Sequence, residues 1–348
     1  MFPLDFPLRI LQRMAVRGDT VLDPFCGRGT TNLAARIVGI ESLGVDSSKV
    51  AVAITAAKLV AVDVADIVNE ARCMLADRKA RHVPVGEFWD WAFHASVLDG
   101  LCRLREALLE DCSAATRVAL RGIVLGALHG PKQKTFPGYL SNQSPRTYAP
   151  KPSYATRYWQ SRQLVPEPVD IMAVIERRAV RYYGTPTACA GVARLGDSRN
   201  PVALEPPSPG TRFRWVITSP PYYGMRTYVA DQWLRNWFVG GPDHVDYTCR
   251  EQVAHSSPAI FASELRQVWL NAAAVCTSDA HLVVRFGGIP DRRVDPLDLI
   301  ERSLSDSGWR IAGVRDAGTA TEGKRQADSF LRTRSKPVVE YDVWAVRC

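Results

Sequence analysis

A strand, a glycine-containing loop, a helix, a second strand and an acid follow one another near the start of the chain, and this order constrains the fold more than any other feature. The first strand and its loop read VLDPFCGRGTT, and the second strand, ESLGVDSS, carries Asp46 at its carboxyl end. A further helical pattern follows. This β-loop-α-β-α order opens a doubly wound parallel sheet. We therefore predict an α/β fold that binds its ligand at the carboxyl ends of the strands.

The strand and helix alternation stops after about residue 62 and returns near residue 191. Helical spacing fills much of the interval, and residues 131–168, rich in Pro, Tyr, Lys and Arg, show no periodicity. The last two strands are spaced to form an antiparallel hairpin. We predict three segments: 1–62 and 191–348 as the two halves of the core, and 63–190 as a helical and basic-aromatic insertion that is the candidate for target recognition.

A pair of prolines ends the apolar strand RWVI in the segment RWVITSPPYYGMRTY. Proline has no backbone N–H and a fixed φ, so Pro220 and Pro221 stop the strand and stiffen the turn that follows. A structural turn would more often use Gly, Asn or Asp. The corner is therefore predicted to hold Ser219 and Tyr222 rigidly at the edge of the sheet that carries the glycine loop.

The glycine loop indicates a nucleoside-bearing ligand. Gly27 and Gly29 let the backbone turn sharply and approach a ligand closely. Asp46 follows at the end of the second strand, where an acid accepts hydrogen bonds from ribose hydroxyls. A dinucleotide is the competing ligand, but its fingerprint needs a third glycine where this chain has Asn32.

The same segments resemble those of a known enzyme family. DPFCGRGTT resembles the cofactor loop of methyltransferases that use S-adenosylmethionine, and TSPPY resembles the S-P-P-Y signature of DNA methyltransferases that act on exocyclic amino groups. The Ser form is associated with the N4 amino group of cytosine, and related enzymes acting on adenine N6 more often carry Asp or Asn. DFPLRILQRMAVRGDTVLDPF also matches one group of these enzymes, although there S-P-P-Y precedes the glycine loop. The resemblance covers about residues 1–60 and 190–348.

The resemblance implies a Rossmann-like methyltransferase sheet, S-adenosylmethionine as cofactor and double-stranded DNA as substrate. In the implied reaction a flipped cytosine loses one amino hydrogen and gains a methyl group at N4. The catalytic residues so implied are Ser219, Pro220, Pro221 and Tyr222. The expected cofactor contacts are Phe6, Pro7, Asp23, Pro24, Phe25, Gly27, Gly29, Thr30, Thr31, Asp46, Ser47, Asp197 and Ser198.

Basic residues interleaved with aromatic ones are the candidates for nucleic-acid contact, since cations position phosphates and aromatic rings stack on bases. In and near the aperiodic segment these are Lys132, Lys134, Arg146, Lys151, Arg157 and Arg162. Arg226 or Tyr228 could fill the gap left by a flipped base, and Lys324 and Arg325 lie in a second basic loop. The alternative for the first group is a loop packed on the helical insertion.

Composition narrows the setting. The formal charge of +8 and pI near 9.1 favour polyanionic partners, although a high-GC genome that encodes arginine freely gives the same excess of positive charge. Eight scattered cysteines without a C-x-x-C pair exclude the usual zinc patterns, so we expect no metal and a reducing cytoplasm. We see no signal peptide and no membrane span. A cognate restriction nuclease is a possible partner, and the oligomeric state stays open.

Three other functions are compatible with these residues: adenine N6 methylation of DNA, methylation of amino groups in RNA, and a non-catalytic nucleic-acid-binding subunit that keeps the fold. The absence of a Pro-Cys dipeptide disfavours methylation at cytosine carbon 5.

Overall fold

A computed structural model describes residues 2–77, 79–130, 138–144, 151–184, 191–224, 232–246, 257–288, 294–319 and 339–348. The strands are β1 Thr20–Asp23, β2 Glu41–Asp46, β3 Gly191–Leu195, β4 Phe213–Thr218, β5 Cys276–Gly287, β6 Trp309–Thr319 and β7 Val339–Arg347. The helices are α1 Asp5–Met14, α2 Thr30–Val38, α3 Lys49–Ala57, α4 Val64–Asp77, α5 Glu87–Ala92, α6 Ala95–Glu110, α7 Ala115–Ala127, α8 Pro152–Ser161, α9 Ile171–Tyr183, α10 Trp233–Phe238, α11 Pro258–Val275 and α12 Pro296–Leu304.

The strands form one seven-stranded sheet in the order β3-β2-β1-β4-β5-β7-β6. Strands β1 to β5 run parallel, and β7 is antiparallel to both β5 and β6. The predicted doubly wound α/β fold with its antiparallel C-terminal hairpin is therefore confirmed. Strand order reverses between β1 and β4, so the carboxyl ends of these two strands flank the crevice in which open α/β sheets bind ligands.

Strand β1 lies at the centre of the sheet and is buried along its whole length, TVLD. Side chains alternate between the two faces of a strand. Val21 packs with Ile10 and Leu11 of α1 on one face, and Leu22 packs with Leu265 and other apolar residues of α11 on the opposite face. Because both faces are covered by helices, the carboxyl end of β1 is held rigidly where the glycine loop begins.

The chain divides into two compact units. The first comprises Met1–Thr55, Thr187–Arg226 and Arg250–Cys348 and contains the sheet. The second comprises Ala56–Pro186 and Thr227–Cys249 and contains helices α4 to α10. Aromatic residues form the centre of the second unit, where Trp89 lies edge-on to Trp233 at 5.8 Å and tilted against Trp237 at 4.7 Å. The segment boundaries predicted from the sequence stay a prediction.

One part of the aperiodic segment is a helix that the sequence pattern did not reveal. Helix α8 begins with Pro152 at its first turn, where the missing N–H of proline costs nothing. Ala155 and Trp159, four residues apart, are fully buried, and the Trp159 indole N–H donates to the Gln143 carbonyl. Thr156 is the third buried residue of this helix, and three such positions are too few to produce a visible period, so tertiary packing decides the helix.

Within the described part of the chain, every helix is too short or too polar to cross a lipid bilayer.

Helix α11 offers a matched pair of leucines for testing the core. Leu265 is fully buried and Leu270 is 40% exposed. We predict that Leu265→Ala lowers the free energy of unfolding by about 2–5 kcal/mol, because it removes buried methyl groups and leaves a cavity. Leu270→Ala should change it by less than about 0.5 kcal/mol. Urea denaturation of both variants measures this, and equal losses would contradict the assigned burial.

Candidate active site

The glycine loop after β1 turns through two left-handed residues, Gly27 at φ +52° and Gly29 at φ +68°. A Cβ on Gly29 would lie 2.7 Å from the Thr55 side chain, so only glycine fits there. A Cβ on Gly27 would meet nothing closer than the Phe25 carbonyl oxygen at 3.9 Å. The Gly27 backbone therefore borders open space, which a ligand can enter.

Asp46, at the end of β2, faces this loop. Its Oδ2 accepts a hydrogen bond from the Gly27 N–H at 2.9 Å, and its Oδ1 accepts one from the Ser48 N–H at 2.9 Å. Burial raises the pKa of Asp46, and the two backbone donors counter part of that rise. Each carboxylate oxygen keeps a further lone pair. The carboxylate is thus oriented by the loop and still able to accept from a ribose.

A pair of buried side chains ties the glycine loop to the end of β4. The Thr218 hydroxyl donates to Asp23 Oδ1 at 2.6 Å, and the Thr31 hydroxyl donates to the Ile217 carbonyl at 3.0 Å. Ser219 follows Thr218 directly along the chain. The structure therefore brings the Gly27 loop and the Ser219 corner to the same edge of the sheet, on adjacent strands.

Asp23 is 2% exposed and lies within this contact. Burial raises its pKa to about 6, against the lowering effect of hydrogen bonds from Thr218, Thr31 and the Phe25 N–H. The role of Asp23 as a cofactor contact stays a prediction. In the structure its Oδ1 accepts hydrogen bonds from the Thr218 hydroxyl and the Phe25 N–H.

The turn after β3 is fixed by polar contacts to two other elements. The Ser198 hydroxyl donates to the Pro24 carbonyl at 2.7 Å. The buried Asn271 amide, on α11, donates to the carbonyls of Ser198 and Arg199 at 3.0 and 2.8 Å. The Asp197 carboxylate accepts from the Arg199 guanidinium, whose hydrogen bonds are the main cause that lowers the Asp197 pKa. Asp197 is exposed and Ser198 is buried, so Asp197 is the more accessible of these two predicted cofactor contacts.

The Ser219 corner is anchored from below. Ser219 and Tyr222 are half-buried, and Pro220 is buried. The Tyr222 hydroxyl donates to Glu340 Oε1 at 2.6 Å, and the ring lies edge-on to Phe286 at 5.6 Å. The next residue, Tyr223, lies edge-on to Phe261. Two consecutive tyrosines thus pack against the core, so the backbone of the prolines before them has little freedom to move.

Phe6 and Pro7 lie at the start of α1. Pro7 is buried, and the Phe6 ring lies beneath the Arg285 guanidinium at 3.8 Å. Arg285 is itself held by a bidentate ion pair with Asp342. Phe6 also borders a cavity of about 690 Å³ beside α1, which Arg285 and Trp344 line as well. The residues that line this cavity do not include Gly27 or Ser219.

The other predicted cofactor contacts differ in accessibility. Pro24 and Thr31 are buried, and the Thr31 hydroxyl donates to the Ile217 carbonyl of β4. Phe25 is half-buried and lies edge-on to Trp269 at 6.2 Å. Thr30 is half-buried and Ser47 is exposed. Accessible side chains therefore remain along the rim of the loop, and the buried ones support it.

Asn32 packs beneath the loop at the position where a dinucleotide fingerprint has its third glycine. It is fully buried and donates to Ser42 Oγ at 3.0 Å. It lies against Gly44 of β2, where a Cβ would be 2.6 Å from Asn32 Oδ1. The third glycine of the fingerprint serves close helix–strand packing. Here the small residue is on the strand and the larger one on the helix, so the packing is kept without the third glycine.

The candidate nucleic-acid residues are only partly described. Lys151, Arg157 and Arg162 are exposed on and beside α8, and the Arg162 guanidinium lies 4.2 Å from the centre of the Tyr158 ring. Seven others, Lys132, Lys134, Arg146, Arg226, Tyr228, Lys324 and Arg325, lie outside the described residues.

Sequence reasoning missed four residues that support the site: Thr218, Asn271, Gly287 and Glu340. Glu340 left one weak signal, because it is one of two acids, with Asp342, in the otherwise mostly apolar strand VEYDVWAV. Asn271 left a weaker one, as a lone amide within the apolar run VWLNAAAV of α11. Thr218 and Gly287 are ordinary residues at strand ends. Their roles come from their partners, which are Asp23 for Thr218 and the Glu340 side chain for Gly287.

Comparison with known proteins matches the N-terminal part of the chain to a family. Residues 1–57 match a family described as DNA methylase. A stretch of 30 residues, 9% of this chain, is 60% identical to the Type II methyltransferase M.BsoBI of Geobacillus stearothermophilus and spans 6% of that relative's length. The similarity is thus high but confined to a short segment.

Similar solved structures are distant in sequence. A SAM-dependent methyltransferase from Methanosarcina mazei is 8% identical, with 100% of this chain and 98% of that chain covered, at a TM-score of 0.36. A magnesium protoporphyrin IX methyltransferase from Synechocystis, solved with bound SAM, is 10% identical over 99% and 78% of the chains, at a TM-score of 0.34. Both TM-scores are too low for these structures to bear on function.

The buried Asp23 makes stability depend on pH. Its pKa is raised in the folded state, from 3.8 to about 6, so the folded protein holds this proton more tightly than the unfolded chain. The stability of the wild type should therefore fall as pH rises from about 4 to 6, by at most about 3 kcal/mol from this group. Asp23→Asn keeps an acceptor for Thr218 and does not titrate.

The measurement is the free energy of unfolding of both proteins between pH 4 and 8. The wild type minus Asp23→Asn difference should decline from pH 4 to 6 and then level. A constant difference across this range would show that Asp23 does not hold a proton in the folded state.

Proposed function

We infer, from an N-terminal segment that belongs to the DNA methylase family and from the site built around it, that this chain is a methyltransferase acting on an amino group of a DNA base. The cofactor of that family is S-adenosylmethionine. The observation that carries the proposal is the Thr218–Asp23 hydrogen bond, because it puts the Ser219 corner beside the glycine loop. A donor and an acceptor of a methyl group can then share one pocket.

Asp46 and the loop backbone fit the nucleoside part of the cofactor. Asp46 would accept hydrogen bonds from the ribose hydroxyls, oriented for this by the Gly27 and Ser48 N–H groups. Asp197 would accept from the adenine amino group, with Arg199 fixing its carboxylate. When bound, S-adenosylmethionine supplies an electrophilic methyl group on a sulfonium centre.

The Ser219 corner would activate the base. An amino group conjugated to a base ring is a weak nucleophile because its lone pair is delocalised. Two acceptors on its two hydrogens, Ser219 Oγ and the Pro220 carbonyl, would favour the pyramidal nitrogen whose lone pair is free to attack the methyl carbon. The prolines hold these acceptors in place beforehand, so little reorganisation is needed. The nitrogen then releases one proton to water.

We propose cytosine N4 as the site of methylation, on the Ser form of the signature. Tyr222 would stack on the flipped base, a contact worth about 1–3 kcal/mol in comparable systems. Adenine N6 is the second candidate, since the family that residues 1–57 match covers N6 and N4 methylation alike. RNA amino groups and a non-catalytic role complete the alternatives, and the assay below discriminates all four.

The insertion is our candidate for target recognition. Lys151, Arg157 and Arg162 present cations on and beside one exposed helix, as phosphate contacts require. The charge of +8 agrees with a polyanionic partner. The relative named as a Type II methyltransferase supports a further proposal, that a cognate restriction nuclease recognises the same DNA sequence.

The first test is product identification. The protein is incubated with tritiated S-adenosylmethionine and unmethylated mixed-sequence DNA, and the DNA is then digested to nucleosides. We predict label in N4-methylcytosine, and its loss by about a hundredfold or more in Ser219→Ala because an activating acceptor is removed. Label in N6-methyladenine alone would overturn the base assignment. Transfer to RNA but not DNA, or no transfer despite cofactor binding, would overturn the substrate or the enzymatic role.

The second test concerns Asp46. We predict that Asp46→Ala weakens S-adenosylmethionine binding by roughly tenfold to a hundredfold, the effect of losing hydrogen bonds to a charged group. Asp46→Asn should lose less, because one acceptor oxygen remains. Asp298→Ala, at an exposed helical position, is the matched control and should bind as the wild type does. Titration calorimetry measures all four dissociation constants, and unchanged affinity in Asp46→Ala would remove the ribose role.

A further inference from the structure

Glu340 is a buried acid at the proposed site that the mechanism above does not use. It is 3% exposed, and it lies at the start of β7 opposite Gly287, the last residue of β5. Acidic side chains are seldom this buried unless they serve a partner. Its Oε1 accepts the Tyr222 hydroxyl at 2.6 Å, within the range of a short charge-assisted hydrogen bond.

Gly287 makes this contact possible. A Cβ at Gly287 would lie 2.8 Å from Glu340 Cγ and 3.5 Å from two carbons of the Tyr222 ring. A side chain there would displace the Glu340 side chain, whereas the distance to the Tyr222 ring is that of an ordinary contact. The missing side chain therefore leaves a gap on the sheet edge that Glu340 and the Tyr222 ring fill together.

The ring of Tyr222 is consequently held at more than one point. Phe286 packs against it edge-on, Gly287 lies under its Cε2 and Cζ, and Glu340 holds its hydroxyl. The hydrogen bond at the hydroxyl fixes the direction of the long axis of the ring, and the contacts with Phe286 and Gly287 limit rotation of the ring about that axis. The plane matters because a stacked base must lie parallel to it and within reach of Ser219.

The geometry points to Glu340 as a positioning residue that fixes the long axis of the Tyr222 ring between its contacts with Phe286 and Gly287, and thereby the pose of the target base. This rests on the proposed function and deepens it, because it names a residue outside the S-P-P-Y segment on which base placement depends. The role requires an acceptor at this position and not a negative charge.

The test compares four variants with the wild type. Glu340→Ala removes the acceptor, Glu340→Gln keeps an amide oxygen in its place, Tyr222→Phe removes the donor, and Glu41→Ala makes the same change at an exposed position on β2. Methyl transfer to unmethylated mixed-sequence DNA is measured with tritiated S-adenosylmethionine, and the dissociation constant of S-adenosylmethionine is measured separately.

We expect Glu340→Ala and Tyr222→Phe each to lose roughly tenfold to a hundredfold in kcat/KM for DNA, the range for losing a hydrogen bond to a charged group. The double variant Tyr222→Phe/Glu340→Ala should lose no more than either single one, since both remove the same interaction. Glu340→Gln and Glu41→Ala should stay within a few-fold of the wild type, and cofactor affinity should be unchanged throughout. Wild-type transfer by Glu340→Ala, or equal losses in Glu340→Gln and Glu340→Ala, would overturn the inference.

A second readout does not depend on catalysis. Fluorotyrosine placed at position 222 should give one sharp ¹⁹F resonance in the wild type and in Glu340→Gln, and a shifted or broadened one in Glu340→Ala. If Glu340→Ala does not fold, the two other single variants decide the question. A loss of kcat/KM in Tyr222→Phe beside near wild-type kcat/KM in Glu340→Gln supports the positioning role, and wild-type kcat/KM in Tyr222→Phe overturns it. If the wild type transfers no methyl group to DNA, the proposed function fails while the ¹⁹F comparison still tests the ring. If the wild type methylates DNA and neither readout responds to Glu340→Ala, only the positioning role fails.

Discussion

The hydrogen bond from Thr218 to the buried Asp23 carboxylate joins two strand ends on which the whole site is built. Together with the Thr31 contact to the Ile217 carbonyl, it holds the two strand ends together beside the crevice where strand order reverses. An acid kept in such a place is costly, as the upward displacement of its pKa shows. The cost is offset by donors from the loop and from β4. The proposed methyl transfer requires these segments to be held in fixed relative positions, because small displacements of the reacting groups lower the rate strongly.

Much of the fold follows from local pattern. The β-loop-α-β-α order at the start, the apolar strand before Pro220 and the final hairpin each carry a period or a stop signal that the structure reproduces. Helix α8 carries neither, because only Ala155, Thr156 and Trp159 are buried and these three residues do not produce a helical period of apolar positions. Its existence depends on partners such as Gln143, and no single-segment pattern records those.

The site was predictable in its outline and not in its support. Gly27, Asp46 and Ser219 are recognisable because backbone turns and strand ends leave characteristic residues. Asn271 and Glu340 act across long sequence separations on carbonyls or hydroxyls of other elements, so nothing adjacent to them in sequence announces the partner. The ligand contacts at Ser198 and Thr31 stay predictions, and the partners that the structure gives these two hydroxyls are backbone carbonyls of other segments, which the sequence pattern does not record either.

The exchange of sizes between Asn32 and Gly44 has a consequence for how this scaffold could change its ligand. Replacing Asn32 with glycine would complete the spacing of a dinucleotide motif, yet it would leave two glycines facing each other across helix and strand, with a hole between them. A side chain at Gly44 would not fill that hole, because its Cβ would still lie 2.8 Å from the Cys26 Cβ. The residue at position 32 is thus tied to the strand beneath it, one layer below the surface that a ligand would contact, and a dinucleotide motif here would cost the helix its packing.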